Sequence, residues 1–389
     1  MAFINPTMEV RFEDGMSAVS VPADPRAAMH ARFPTALQPF LTWLTAKPAP
    51  GESLVERSPL HFVRTGLAQI AAGIVLAWAG VLLGWQAGLL LVPLGLLISS
   101  SGLGLFQVVV FHHCSHGTVF RNRENNVIVG RLISALLLFK HFDDYKHSHM
   151  LHHSTNKLLT DEDEFADFVF GMCGLEASLP KSELWRRVLV NLCSPRFHLV
   201  FLARRIRAAF FSHDAAHNWT GIGVWSAMIL AALVTGQAVA FLVAVVLPVT
   251  VLLQIATVFR ILVEHRFPDP ALIAARGKDF ACHASLGVFP GSMPPTGSTA
   301  KLALWWLDML TVQMLVRLFV LVGDAPCHDF HHRRPASRRW TSYIQARQID
   351  QEQGSPGFNV AYFDAWGLFT ALDMTLDSLS ATPPGVVIH

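Results

Sequence analysis

The chain has 389 residues, 52% of them hydrophobic and only 15% charged, and its mean hydropathy of +0.39 points away from an ordinary soluble enzyme. Thirty basic residues against 28 acidic leave a net charge of +2, too near neutral for the basic footprint of a nucleic-acid binder. Low charge together with 27 Phe and 10 Trp also excludes a disordered or collagen-like chain.

Residues 1–60 read as a soluble, proline-containing lead-in. Their start, MAFINPTMEVRFEDG, has no apolar core behind a basic segment, so no cleavable signal peptide is expected. Gly66 to Phe111 contains no Asp, Glu, Lys or Arg. That length covers two membrane spans at about 20 residues per 30 Å of hydrocarbon, with Gly84-Trp85-Gln86 as the turn between them. Val127 to Phe139 is apolar but interrupted by Arg131, and Arg204 to His217 begins with a basic cluster; both are expected to be interfacial helices. Asn218 to Phe259 is again charge-free, with a turn at Thr235-Gly236-Gln237. Leu302 to Val322 carries Asp308 and Arg317 and is expected to be too charged to span, lying half-buried instead.

The economical reading is an all-α membrane protein with four transmembrane helices in two hairpins, at about 66–84, 87–111, 218–235 and 238–260. Neither hairpin tip carries Lys or Arg, so the positive-inside rule places the basic residues, including Arg64, Arg121, Arg204, Arg260 and Arg266, on the cytoplasmic side. The membrane domain is expected over 61–332 and a cytoplasmic C-terminal segment over 333–389. The five cysteines, Cys114, Cys173, Cys193, Cys282 and Cys327, form no CxxC pair and are too few for a disulfide scaffold, which fits a reducing compartment.

The 19 histidines bunch instead of scattering. Where the second span should leave the membrane, His112 and His116 stand at i and i+4 and face the same way on a helix. His149, His152 and His153 form HxxHH, and His328, His331 and His332 form a second HxxHH after the last apolar stretch. His265 follows the fourth span in RILVEH. The charge-derived topology puts all of these at span ends on one face, where they can meet. Desolvated imidazoles without a metal would leave nitrogens unsatisfied at about 1–3 kcal/mol each. A metal site is therefore expected. Nine histidines exceed the needs of one tetrahedral zinc, which favours two ions, and iron is the pair most useful beside a membrane.

The order and spacing of these boxes resemble the integral-membrane fatty acid desaturase and hydroxylase superfamily, with its HxxxH, HxxHH and second HxxHH arranged around paired hairpins. His153-Ser154-Thr155-Asn156 with the acidic run Asp161 to Glu164 resembles the family's HHxxTN stretch, and Glu264-His265 its EH. The resemblance implies a non-haem di-iron centre held by His112, His116, His149, His152, His153, His265, His328, His331 and His332. It also implies O2 as co-substrate, a lipid or fatty acyl substrate, and an external electron donor of ferredoxin, rubredoxin or cytochrome b5 type, since no HPGG haem signature appears in the chain. Glu264, Asp324, Asp163 and Asp329 are the carboxylates expected to orient the imidazoles. Departures from the pattern are the extra His113 and His147 and the long stretch between 265 and 328, which holds His283 in a loop rich in Gly and Pro.

The same residues serve an O2-dependent desaturase, a hydroxylase or an oxidative decarboxylase, and the sequence does not choose among them. A metal transporter would want ligands near the membrane midplane, yet the two charge-free runs contain no histidine. A non-catalytic metal-binding membrane protein is the remaining alternative of a different class. His213 and His217 share HxxxH spacing but belong to the basic Arg204 to His217 segment, so they are read as headgroup-facing and not as iron ligands.

Overall fold

Helices make up nearly all the regular structure in the computed structural model, which describes residues 24–386. The expectation about a cleavable leader concerns residues outside that range. Helix Pro59–Leu82 is followed at once by the long helix Trp85–Ser115. Between them Gly84 has φ +90°, a backbone conformation that a β-carbon would strain. The chain reverses there, and the two helices run antiparallel at close range. A β-carbon on Gly73 would lie 2.3 Å from the Ser99 nitrogen, and one on Gly95 2.4 Å from the Ala77 nitrogen. Small residues at such crossings let backbones touch where apolar surroundings supply no hydrophobic drive.

Among the described residues four helices are long and apolar enough to cross a membrane: Pro59–Leu82, Trp85–Ser115, Ala238–Glu264 and Thr299–Val320. Three coincide with expected spans. The expected span 218–235 forms as helix Ala215–Val234 but is not among the four, because its first turns carry His217, Asn218, Trp219 and Thr220. Conversely, most of the stretch expected to be too charged to span, Leu302 to Val320 of it, lies in Thr299–Val320 and is among them. Its charges turn inward: Arg317 is 4% exposed and donates to the carbonyls of Trp43 (2.9 Å) and Leu321 and to the Tyr343 hydroxyl, while Asp308 accepts from Gln313. The outer face keeps Leu304, Leu307, Leu310 and Leu315. Counting charges along a sequence does not reveal which way they point.

The basic segment 204–217 also differs from expectation. Helix Pro195–Phe210 stops before it ends, because Asp214 caps the next helix by accepting from the His217 N–H (3.1 Å) and Asn218 accepts from the Ser212 N–H (2.9 Å). His213 thus sits in a link and His217 is buried in the first turn of Ala215–Val234. His283, expected in an open loop, lies in the last turn of helix Gly277–Ala284.

Residues beyond 332 join the same core. Helix Leu368–Ala381 contributes Leu372, Leu376 and Leu379 to a cluster with Val258 and Leu262 of Ala238–Glu264. Strand Gly287–Phe289 pairs in parallel with Asp364–Trp366.

Candidate metal centre

Three of the four long apolar helices lead at their C-terminal ends into the expected histidines: Trp85–Ser115 into His112 and His116, Ala238–Glu264 into His265, and Thr299–Val320 into His328 to His332. Helix Phe142–His152 brings His149, His152 and His153 to meet them. The chain is π-helical over Leu105–Phe111, immediately before His112, a form that recurs at functional sites.

All nine histidines come together, in two groups. His112, His116, His149, His153 and His331 form one, and His152, His265, His328 and His332 the other; within each group the ligand-capable nitrogens lie within 4.8 Å of one another. In the first, Nε2 atoms stand 2.7 Å apart for His112 and His331, 2.9 Å for His331 and His153, and 3.0 Å for His149 with both His153 and His116. In the second, His265 Nε2 is 3.0 Å from His152 and 3.1 Å from His328, which is 3.0 Å from His332.

Hydrogen bonds alone do not explain these contacts. An imidazole nitrogen has one in-plane site, for a proton or for a lone pair. His149, His153, His331, His265 and His328 each face two others, so some contacts would lack a proton or hold two. A cation at each common point accepts every lone pair at once. The opposite nitrogens support that protonation: His152 Nδ1–H donates to Asp163 (2.8 Å) and His265 Nδ1–H to the Ala284 carbonyl (3.2 Å), acceptors that leave Nε2 unprotonated, while His112 Nδ1 lies 3.2 Å from the Tyr145 hydroxyl. Burial holds His149, His153, His328, His331 and His332 well below the usual imidazole range, with neighbouring histidines adding to it, and pushes His265 down to about 3. They are neutral donors at pH 7. For His152 burial acts downward too, but the charge and hydrogen bond of Asp163 outweigh it and the net direction is up.

His265 follows its helix in an extended conformation and bridges to Ser285, while Thr375 donates to its carbonyl (3.1 Å). Asp163 is fully buried and also accepts from the N–H groups of Leu159 (2.8 Å) and Phe165 (3.0 Å). Leu159 has φ +61°, so this loop holds a disfavoured backbone in place through the carboxylate beneath it.

The other carboxylates expected to orient imidazoles are placed differently. Asp324 meets His113, the extra histidine of the first box, at 2.7 Å, and His113 stacks on Trp340 at 4.1 Å. Glu264 pairs with Arg260 (2.7 Å) and stands 3.8 Å from His328 Nδ1. Asp329 pairs with Arg347 (2.5 Å). His147 is exposed and joins neither group. Sequence reasoning missed Tyr145, which stacks on His149 at 5.2 Å; its i, i+4 spacing to His149 was the available signal. It missed Arg347 altogether.

A cavity of about 430 Å³ adjoins both groups. His112, His149, His152, His265 and His328 line it together with Val108, Phe111, Phe139, Phe168, Phe201 and Ile261, and so do the ion pairs of Lys140 with Glu164 (3.0 Å) and Arg204 with Asp167 (3.1 Å).

Buried imidazoles at the ends of membrane-length helices, opening on a largely apolar cavity, are a donor set that could hold metal in a membrane protein. The fatty acid desaturase family profile matches residues 83–289, more than half of the chain, and the chain belongs to that family. The match stops before His328, His331 and His332, which the fold brings to the six histidines inside it. No curated protein matches the chain in sequence.

Proposed function

We propose that the protein is a membrane-bound non-haem di-iron oxidase that removes two hydrogens from a fatty acyl or similar lipophilic chain to leave a double bond. The observation that carries this reading is that both histidine groups open on one apolar cavity. Five and four imidazoles are a donor set suited to one iron each. Bound there, the two irons would supply O2 activation, with two electrons and two protons taken up and two waters formed. The protein's own residues do the rest. Phe111, Phe139, Phe168, Phe201 and Ile261 hold an extended apolar chain and exclude water, Asp163 and the Ala284 carbonyl keep His152 and His265 in their donor tautomer, and Tyr145 orients His112. A ferredoxin, rubredoxin or cytochrome b5 type carrier delivers the electrons.

Expression in a host lacking the protein, followed by mass spectrometry of lipids and small apolar products, tests the reaction. The expected product is lighter than its parent by two hydrogens. A gain of one oxygen would make the protein a hydroxylase, and loss of the carboxyl group as CO2 a decarboxylase. Zinc-containing protein without any product would favour the non-catalytic alternative.

We also place the histidines on the cytoplasmic face. The support is that the turn between Pro59–Leu82 and Trp85–Ser115 and the turn at Thr235 to Gln237 carry no Lys or Arg. Cysteines introduced at Gln86 and Gln237 are expected to react only from outside the cell, and labelling from the cytosol would overturn the placement.

A further inference from the structure

A third histidine cluster lies apart from the nine. It forms where the start of helix Phe142–His152 faces the link between helices Pro195–Phe210 and Ala215–Val234. His141 Nδ1 is 3.8 Å from Asp144 Oδ2, its Nε2 is 3.7 Å from Asp214 Oδ2, and His213 Nδ1 is 3.7 Å from Asp144 Oδ1. These separations are too long for hydrogen bonds. They approach the roughly 3.4 Å expected between two donors that each stand about 2.0–2.1 Å from one tetrahedral ion.

His141 supplies a second observation. It is 1% exposed, yet neither of its ring nitrogens has a hydrogen-bond partner. A buried polar group left so costs about 1–3 kcal/mol. His217, packed edge-on against His141 at 4.8 Å between ring centroids, is buried and unpartnered in the same way. Asp144 and His213, by contrast, reach solvent, so an ion has a path in and room for a water ligand. The neighbouring cation, Arg131, is engaged by Asp143 at 2.5 Å and reaches Asp214 at 4.0 Å, which leaves the Asp144 carboxylate free to offset a dication.

We propose that His141 through Nδ1, Asp144 and His213 bind one divalent ion of the zinc class, with the Asp214 carboxylate facing His141 Nε2 at 3.7 Å. Two imidazoles and one carboxylate are a zinc donor set with a fourth position left for water. The ion would tie the first turn of the helix whose last turn carries His149 and His152 to the link 211–214. It would anchor that helix from the end away from the iron.

The test uses the full-length protein with its iron in place, incubated with Zn2+ and freed of excess before metal analysis. Wild type is expected to gain about one zinc per chain, with its thermal transition raised and its iron unchanged. His213→Ala and Asp144→Asn, both exposed and therefore harmless to folding, are expected to lose the zinc and the thermal shift while keeping their iron. Absence of zinc uptake by wild type, or equal uptake by both variants, overturns the assignment.

Discussion

His265→Ala is expected to abolish turnover and to remove about one of two bound irons. His265 is fully buried, and its Nε2 stands between those of His152 (3.0 Å) and His328 (3.1 Å), so within its group it links one HxxHH box to the other. Truncation removes one of four donors and opens a buried void in the middle of the group. Asp163→Asn is expected to act more mildly, since it leaves His152 in place and loses only the carboxylate that orients it; about a 10–100-fold loss of metal affinity is the expected scale. His283→Ala serves as the control, because His283 lies outside both groups, and should keep normal iron and activity. Iron content and turnover measured across the three variants check the ranking. Normal values in His265→Ala would contradict it.

Arg347→Ala is expected to cost about 3–5 kcal/mol and to deplete both metals, although Arg347 touches no histidine of either group. Its guanidinium is 2% exposed and holds Asp329 through Nε (2.8 Å) and Nη2 (2.5 Å), then reaches Asp364 at 2.7 Å. Asp329 belongs to helix His328–Arg333, which sends His331 to one group and His328 and His332 to the other. Removal of the arginine leaves Asp329 charged, buried and unpaired, and the helix that feeds both groups loses its anchor. Arg347→Lys keeps the charge but not the planar fork, so an intermediate loss is expected. The thermal transition and iron content in detergent measure both effects, and a wild-type transition with full iron in Arg347→Ala would contradict the argument.

The two predictions differ in how far the sequence alone could have led to them. Charge-free runs marked most of the long helices, and helical spacing put His112 with His116 and His149 with its HxxHH partners. The partition of the nine into five and four was not read from the sequence, yet its logic is elementary. Consecutive helical residues diverge by about 100°, so His152 and His153, like His331 and His332, must serve different groups. Other features had no local signal. The π-helical stretch before His112 depends on packing, and the inward turn of Arg317 depends on carbonyls at Trp43 and Leu321. The Asp329 and Arg347 pair joins positions on separate helices, and Asp324 sits beside His113, which the box pattern treats as surplus.

The central claim is that nine histidines hold two irons that activate O2. Metal analysis of the purified protein, combined with turnover in the presence of an electron donor with and without O2, tests it most directly. The account predicts about two irons per chain and no product in the absence of O2. Zinc as the sole metal, with turnover unchanged under anaerobic conditions, would contradict it.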